Sequence, residues 1–432
     1  MTKQIDLKKL AHCECSRNQL FNSVNPLYKK YYGHKSDITF QHAKDITEET
    51  AKYVSRAKDQ EWAGKCILIA AIHPFPRDAA DHLIKFFPAN YSSSLLLSFN
   101  RFNSLRDQDE AQPEMKDIEI YRMLTKPFLS DHGYVLLPPE VFVRVIDMSE
   151  PRLFKGQEAK ELHGATSHGQ ISSMNRNLAT SMEMVWRTAA INLALFKCYD
   201  RMSNLSASIL HPKLFKRIEK IFQSLSEEIS ETASMYRGHL SGIISIALSK
   251  KMPIATQSDR ETGESVNFFL RQKTPGSATL KLVDKGLSSD SDPDPEFVLD
   301  TLHDIIASTI VSSRTCDADA LFNMVTKKFA ELIVHNEPIF YGHDGRRGSL
   351  PDYSGVGHID YNARKFGATK LKRIELHIKS YQAYLDYFYS EKVGRGKRIS
   401  PIVSDVWGDQ NFKIVQGLGH VNHMPPNGDG KH

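Results

Sequence analysis

Apolar residues recur at spacings of three and four along most of the chain after about residue 175. This period places successive apolar side chains on one face of an α-helix. It predicts four amphipathic helices, whose apolar positions run over 182–196, 214–229, 298–306 and 322–333. Residues 371–388 follow a 3-4-3-4-3 spacing, which predicts a last long helix packed against its neighbours.

Short apolar runs of a different kind occupy the first 150 residues. Their β-branched and aromatic composition predicts strands of a small sheet at 66–73, 94–99, 134–138 and 141–147. We therefore predict a mainly α protein with a helical body and a smaller mixed α/β N-terminal region. The expected domains are a mixed region over 1–175, a helical domain over 176–390 and a basic, Gly-rich C-terminal tail over 391–432.

Composition narrows the class of protein. A chain of 432 residues that is 41% hydrophobic and 25% charged can bury a sizeable core. Its net charge of +5 is too small for a dedicated nucleic-acid binder. Five cysteines without a C-x-x-C pair indicate free thiols in a reducing cytoplasm. We expect a cytoplasmic protein that does not span a membrane, because no window approaches ~18 consecutive apolar residues. The sequence does not indicate an oligomeric state.

Familiar catalytic motifs are absent from the sequence. We find no Walker loop, no G-x-S-x-G element, no H-E-x-x-H pair and no zinc-finger spacing. His335 follows the fourth predicted helix, so it could be a lone axial ligand of a haem iron or an ordinary surface or core histidine. Arg237 could hold a substrate carboxylate through a bidentate fork or tie helix ends together. The stretch TPGSATL (274–280) could line a ligand pocket or form a plain loop.

The order of these elements resembles the superfamily of indoleamine and tryptophan 2,3-dioxygenases, which are helical haem proteins. The similarity spans about residues 180–390. It rests on a helix with an inward Glu183, on Arg237 in RGHLSG, on a Gly-Ser-Ala turn at 276–278 and on a late helix that ends in His335. A final predicted helix with His and Tyr on it, RIELHIKSYQAYLDYFY, closes the set.

The resemblance implies a haem-dependent dioxygenase, an oxidoreductase that acts on a small aromatic, amino-acid-like substrate. It implies that Arg237 and Ser277 bind the substrate, that Gly276 and Ala278 line the haem pocket and that His335 is the proximal ligand of the iron. His358 and His377 are the alternative axial ligands. No catalytic side chain follows from the resemblance, because the haem supplies the chemistry.

A binding function is the alternative to the enzyme. Basic residues interleave with aromatic ones across 341–398, an arrangement that can hold a phosphate backbone and stack bases. We therefore also consider a helical protein that binds RNA or another anionic partner, although a solvated charged face explains the same residues. The basic residues are Arg346, Arg347, Arg364, Lys365, Lys370, Lys372, Arg373, Arg395, Lys397 and Arg398, and the aromatic ones are Tyr353, Tyr361 and Phe366.

Overall fold

The chain folds into two compact units. The computed structural model describes residues 6–55, 59–86, 89–111, 128–129, 135–136, 138–154, 168–192, 195–255, 257–258, 265–312, 315–334, 339–341 and 356–380. Among these residues, the unit that runs up to Ile209 is here called the helical unit, and the unit from Leu210 onward is called the sheet unit.

Helices make up almost all of the helical unit that the structure describes. They are α1 (Leu7–Leu10), α2 (Glu14–Tyr32), α3 (Ser36–Val54), α4 (Gln60–Ile72), α5 (Ala80–Leu83), α6 (Ser92–Glu110), α7 (Pro139–Met148), α8 (His168–Ser181), α9 (Arg187–Asn192) and α10 (Phe196–Leu210). A π-helical turn, Met182–Trp186, joins α8 to α9. Two short antiparallel strands, β1 (Phe128–Leu129) and β2 (Val135–Leu136), precede α7.

Three of the four N-terminal strands that we predicted are wrong, because residues 66–72, 94–99 and 141–147 are helical. The fourth run, 134–138, does contain β2. Residues 66–72 of α4 are buried on every side, and this part of the helix is a continuous apolar run without a polar face. When every position is apolar, the spacing of three and four that identifies a helix cannot be seen. Local signals start the helices instead: the Asp59 carboxylate accepts a hydrogen bond from the Trp62 amide, and Pro139 opens α7.

The sheet unit combines five helices with a five-stranded sheet. Its helices are α11 (Pro212–Ser224), α12 (Ser226–Ser249), α13 (Pro275–Asp284), α14 (Pro295–Thr301) and α15 (Thr315–Lys328). A small ladder pairs β3 (Gln257–Ser258) with β4 (Ser265–Val266). The main strands are β5 (Phe269–Gln272), β6 (Ile306–Ser312), β7 (Ile339–Tyr341), β8 (Val356–Asn362) and β9 (Arg373–Ser380).

The main sheet has the strand order β5-β6-β9-β8-β7. Strands β6 and β9 are parallel, and the other neighbours are antiparallel. Alternate residues on β8 and β9 are buried, among them Ile359, Tyr361, Leu376 and Ile378, and they belong to one hydrophobic core with residues of α12 and α15. The opposite face of the sheet is polar and partly exposed. We call it the polar face.

The predicted last helix over 371–388 is wrong where the structure describes it, because 373–380 form strand β9. Ile374 and Ile378 are buried as expected, but they lie on a strand. Their spacing of four fits both a helix and an alternating strand. Leu376 distinguishes the two, because it is also buried and lies two residues from each. Residues 381–388 lie outside the described part of the chain.

The other helix predictions hold in part. A break at Leu225 divides the second predicted helix into α11 and α12, and Pro212 opens α11 as expected. The third one ends at Thr301, after which Ile306 begins β6. The first and fourth are also interrupted, by the π-helical turn and by a 3-10 turn at 330–332.

The predicted mainly α class is confirmed, although the larger sheet lies in the second unit and not in the first. The expected boundary at 175 falls within α8, whereas the contacts divide the chain after Ile209. The expected tail over 391–432 lies outside the described residues. Among the helices that the structure describes, none has the length and apolar character needed to cross a bilayer.

Gly64 marks the closest approach of α4 to α1, and its replacement tests that packing. A Cβ added there would lie 2.0 Å from the carbonyl oxygen of Leu7, which is backbone and cannot rotate away. We expect Gly64→Ala to lower the free energy of unfolding by about 1–3 kcal/mol, because α1 must move. Thermal unfolding followed by circular dichroism measures the change.

Gly238→Ala is the matched control for this variant. Gly238 also lies inside a helix, α12, but nothing lies within 4 Å of its added Cβ. Alanine favours a helix over glycine by about 1 kcal/mol, so the control should keep or raise the melting temperature. A Gly64→Ala protein as stable as the control would contradict the close contact between α1 and α4.

Glu228 ties the first turn of α12 to the turn before β9. Its carboxylate accepts hydrogen bonds from the amides of Thr369, Lys370 and Leu371 at 3.1, 2.7 and 2.7 Å, and from the Thr369 hydroxyl at 2.6 Å. Burial by itself would raise the pKa of Glu228, but these hydrogen bonds lower it below the ordinary 4.5.

We expect Glu228→Gln to cost about 1 kcal/mol of stability at neutral pH, since it removes a charge-assisted acceptor. Because the pKa is depressed in the folded state, this stabilisation is present above the ordinary pKa and is lost as the pH falls through the folded value. Urea unfolding at pH 7 and at pH 3 should therefore show a difference from wild type that shrinks in acid. Glu227→Gln, an exposed neighbour, is the control and should show no such pH-dependent difference.

Candidate metal centre

The residues that the dioxygenase resemblance singles out lie on different elements and differ in exposure, where the structure describes them. Arg237 is exposed in the middle of α12. Gly276, Ser277 and Ala278 are buried in the first turn of α13 and do not form an open loop. An exposed guanidinium and a buried helical turn do not line one buried pocket. His335 lies outside the described residues, so its role as a haem ligand stays a prediction.

The basic surface over 341–398 is described only in part. Arg364, Lys365 and Lys370 are exposed, while Lys372 pairs with Asp300 and Arg373 pairs with Asp360 at 3.3 Å. The other five basic residues of the predicted surface, together with Tyr353, lie outside the described residues. Tyr361 and Phe366 are buried, so they do not offer stacking surfaces to a nucleic acid.

A buried cluster in the helical unit, which the sequence did not predict, brings three metal-ligating side chains together. His42 lies on α3, His73 caps the end of α4 and Asp147 lies near the end of α7. His42 Nε2 is 3.0 Å from Asp147 Oδ1 and 3.1 Å from His73 Nε2. His73 Nε2 is 3.5 Å from Asp147 Oδ1. The three side chains are at most 4% exposed.

These distances suit a shared cation. Ligands about 2.1 Å from a zinc-like ion lie about 3.4 Å apart in a tetrahedral site and about 3.0 Å apart in an octahedral one. Two of the three separations in the cluster, 3.0 and 3.1 Å, fall in that range, and the third, 3.5 Å, is just above it. Imidazole nitrogen and carboxylate oxygen are also the donors that first-row divalent metals bind in proteins. The cluster could therefore hold one metal ion.

The protons of His73 are arranged as in a metal ligand. Its Nδ1 lies 2.7 Å from the Ala70 carbonyl oxygen, which can only accept, so Nδ1 carries the proton. Burial lowers the pKa of His73, and the neutral ring then turns the Nε2 lone pair toward the cluster. His42 lacks this support, because its buried Nδ1 has no hydrogen-bond partner. His73 is thus the better oriented of the two candidate ligands.

Asp147 is held by a buried polar network. Its second oxygen accepts a hydrogen bond from Arg144, whose Nε donates to Asp109 at 2.8 Å. Asp109 also accepts from the Trp186 indole at 2.8 Å and from the Ser181 hydroxyl. These contacts fix the orientation of the Asp147 carboxylate, as ligands require.

The charges of this network leave a negative excess in the core. Burial by itself would raise the pKa of Asp147, but the imidazoles of His73 and His42 and the Arg144 guanidinium around it hold that pKa well below its usual range. Asp109 accepts hydrogen bonds on both oxygens, as an ionised carboxylate does. Two carboxylates against one guanidinium leave about one negative charge, which a bound cation or a histidine proton must balance.

Two helices near this centre carry additional positive charge. The segment after His73 is held by Arg106, whose guanidinium donates to the carbonyl oxygens of His73 and Pro74 at 3.4 and 3.3 Å. Arg77 follows in the same segment and is half exposed, paired with Asp107. Arg106 is therefore engaged by backbone carbonyls, and the Arg77 guanidinium is paired with a carboxylate.

A second group of candidate metal ligands, His358, Glu375 and His377, lies on the polar face of the sheet unit. Sequence reasoning named both histidines, but only as alternative haem ligands. Glu375 is not indicated by the sequence, because the predicted helix over 371–388 does not place it on one face with both histidines, whereas the strand does.

The sequence held one signal for the buried cluster. His73 follows the apolar run CILIAAI, and Asp147 follows an apolar run of α7. A polar residue within or just after a buried apolar run needs a partner or a function. Which partner it finds depends on the fold, because 31 residues separate the two histidines and 105 residues separate His42 from Asp147.

Comparison with known proteins adds no relative. No protein-family model matches this chain, and no curated protein matches it in sequence.

Proposed function

We propose that the helical unit binds one divalent transition-metal ion through His42, His73 and Asp147 and uses it in hydrolysis. The observation that carries this proposal is the convergence of two imidazole nitrogens and a carboxylate oxygen within 3.5 Å in a core with excess negative charge. A bound ion of this kind lowers the pKa of a coordinated water and supplies a hydroxide nucleophile near neutral pH.

The number of protein ligands favours a catalytic over a structural site. Structural zinc sites are closed by four protein ligands, whereas catalytic sites keep an open position for water. Only three candidate ligands converge among the described residues of the helical unit. Arg144 and Ala70 would orient Asp147 and His73, so that the ligand geometry does not depend on the ion alone.

The charge beside the centre supports an anionic substrate. Arg106 and Arg77 lie on the His73 side of the centre, and guanidinium groups bind phosphate and carboxylate oxygens. We therefore propose a phosphate ester as the substrate class. The five cysteines are all free, which supports a place in the reducing cytoplasm.

Metal content of the purified full chain tests the proposal. After chelation and titration with Mn²⁺, Co²⁺ or Zn²⁺, we expect the wild type to retain an ion that inductively coupled plasma mass spectrometry detects. His73→Gln should weaken binding at this centre more than about 100-fold, because ligand loss exceeds the 10–100-fold effect of removing an orienting partner. His34→Gln replaces an exposed histidine of the same unit and is the control.

A direct spectrum of the wild type keeps this test independent of variant folding. Co²⁺ bound by two imidazoles and a carboxylate should give visible d–d absorption, and His73→Gln should lose the part of it that this centre contributes. If a folded His73→Gln protein binds as much metal as the wild type, the proposed centre is wrong. If the wild type binds no ion, a proton on the histidines balances the residual negative charge, and the proposed metal centre is wrong.

The haem-dependent dioxygenase hypothesis stays a prediction, and the same preparations separate it from the metal centre. A haem held by one histidine gives an intense Soret band, which a protein with only a Co²⁺ or Zn²⁺ ion lacks.

A second function is favoured by a different observation in the sheet unit, and we propose that this unit binds a phosphorylated ligand. Three cations meet where β5 leads into α13. Asp304 accepts from Lys273 at 2.9 Å and from Lys281 at 2.8 Å, and Arg271 approaches the Ser277 hydroxyl at 3.4 Å. These cations lie beside the amides that open α13, an arrangement suited to phosphate.

This second proposal revises the predicted anionic surface. The cations that converge are Arg271, Lys273 and Lys281, and none of them belongs to 341–398. Ser277 belongs to this proposed phosphate site, whereas the dioxygenase resemblance implies that it binds an aromatic, amino-acid-like substrate.

Calorimetric titration with ATP, GTP and pyrophosphate, each with Mg²⁺, tests the phosphate site. We expect Lys273→Gln to weaken binding about tenfold or more, because a charge-assisted hydrogen bond contributes about 1.5–3 kcal/mol. Lys285→Gln is the control, since Lys285 is exposed at the other end of α13, where it donates to the Thr301 carbonyl. Equal affinities in the two variants would contradict the site.

A further inference from the structure

Two histidines and two carboxylates face one another across the central strands of the sheet unit. In the antiparallel register of β8 and β9, His358 lies opposite His377, and Asp360 lies opposite Glu375. Directly opposed residues project to the same side of a sheet, as do residues two apart on one strand. All four side chains therefore lie on the polar face, opposite the buried Ile359 and Leu376.

Their ligating atoms converge on one carboxylate oxygen. Glu375 Oε1 is 2.8 Å from His358 Nε2 and 3.3 Å from His377 Nε2. Asp360 Oδ1 is 3.3 Å from His358 Nε2. The ligating atoms of His358, Glu375 and His377 all lie within 4.8 Å of one another. This set has the same donors as the buried centre of the helical unit.

The contacts of His358 are close, but they are poorly aligned for hydrogen bonds. His358 Nε2 and Asp360 Oδ1 are both shielded from solvent, and neither has a hydrogen-bond partner of acceptable geometry. A cation between these groups needs only proximity of the lone pairs, whereas a hydrogen bond needs the N–H to point at the acceptor. The arrangement thus fits ligands that share an ion better than a simple network of hydrogen bonds.

The position of the cluster makes it both rigid and accessible. Strands β8 and β9 lie inside the sheet, with β7 and β6 on their outer sides, so the ladder fixes the spacing of the ligands. The side chains of His358 and His377 are nonetheless 37% and 28% exposed. The rings of these histidines therefore reach solvent, although the His358 Nε2 atom itself is shielded from it.

We infer that His358, His377 and Glu375 form a second divalent-metal site, on the polar face of the sheet, that binds Zn²⁺ or a similar ion. Two imidazoles and a carboxylate are a ligand set that catalytic zinc sites use with water in the fourth position. Asp360 is placed to orient His358 or to add a fourth ligand. The inference does not rest on the proposed centre of the helical unit, since no residue is shared.

An ionic cluster without metal is the competing explanation. The carboxylates of Asp360 and Glu375 raise the pKa of His358 to about 9 against the effect of burial, so a proton occupies this place when no metal is bound. Arg373, paired with Asp360 at 3.3 Å, and Lys379 add further positive charge to the face. The two explanations differ in metal content, which an experiment can measure.

The stoichiometry of Zn²⁺ binding by the full chain tests the inference. Isothermal titration with Zn²⁺ and mass-spectrometric metal analysis should find two equivalents in the wild type and one in His377→Gln. Glu375→Gln should also lose one equivalent, with affinity at this site reduced about 100-fold or more. His303→Gln, which replaces an exposed histidine of the same unit, is the control and should keep both equivalents.

His73→Gln separates this site from the centre in the helical unit. One wild-type equivalent that is lost in His377→Gln but kept in His73→Gln would support the sheet site and overturn the first centre. One equivalent lost in His73→Gln and kept in His377→Gln would overturn the inference and leave the first centre standing. Zn²⁺-induced shifts of the His358 and His377 imidazole nitrogens in wild-type NMR spectra report the same answer without any variant. The absence of such shifts in the presence of excess Zn²⁺ would also overturn it.

Discussion

A carboxylate buried among apolar helices is unstable unless positive charge and hydrogen bonds surround it, and this constraint organises the helical unit. Asp109 and Asp147 both lie in that core, with Arg144 between them. Trp186 donates to Asp109, which links the turn after α8 to α6. The remaining negative charge lies where α3, α4 and α7 meet. The same packing that buries Asp147 therefore creates a place where a cation is stabilised.

The carboxylates of the sheet unit also need neighbouring positive charge, but they are less buried than those of the helical unit. Its strands alternate, so apolar side chains take one face and charged side chains take the other. Glu375 and Asp360 keep partial contact with solvent, and their neighbours His358 and Arg373 compensate the remaining burial. A cluster on a half-open face has a lower cost of desolvation than one inside a helical core. It can also exchange ligands with solvent directly.

The sequence indicated the mainly α class, because several long segments follow a helical period. It misplaced the strands for two physical reasons. The run around Ile67 is buried on all sides and shows no period, while Ile374 and Ile378 satisfy a helix and a strand equally. The sites were harder to predict, because their members are distant in sequence. His73 was visible as a polar residue after an apolar run, but only the packing of three helices shows that it faces Asp147.

The two clusters differ in how far a bound ion would be linked to folding. In the helical unit, an ion would neutralise buried charge, so its binding free energy would add directly to the stability of the native packing. On the polar face, backbone hydrogen bonds of β8 and β9 already hold His358 and His377 in register. Binding of an ion there would add little to the stability of the fold, and the ion could be lost without disturbing the sheet. Burial thus favours a permanent ion at Asp147, and exposure favours an exchangeable one at Glu375.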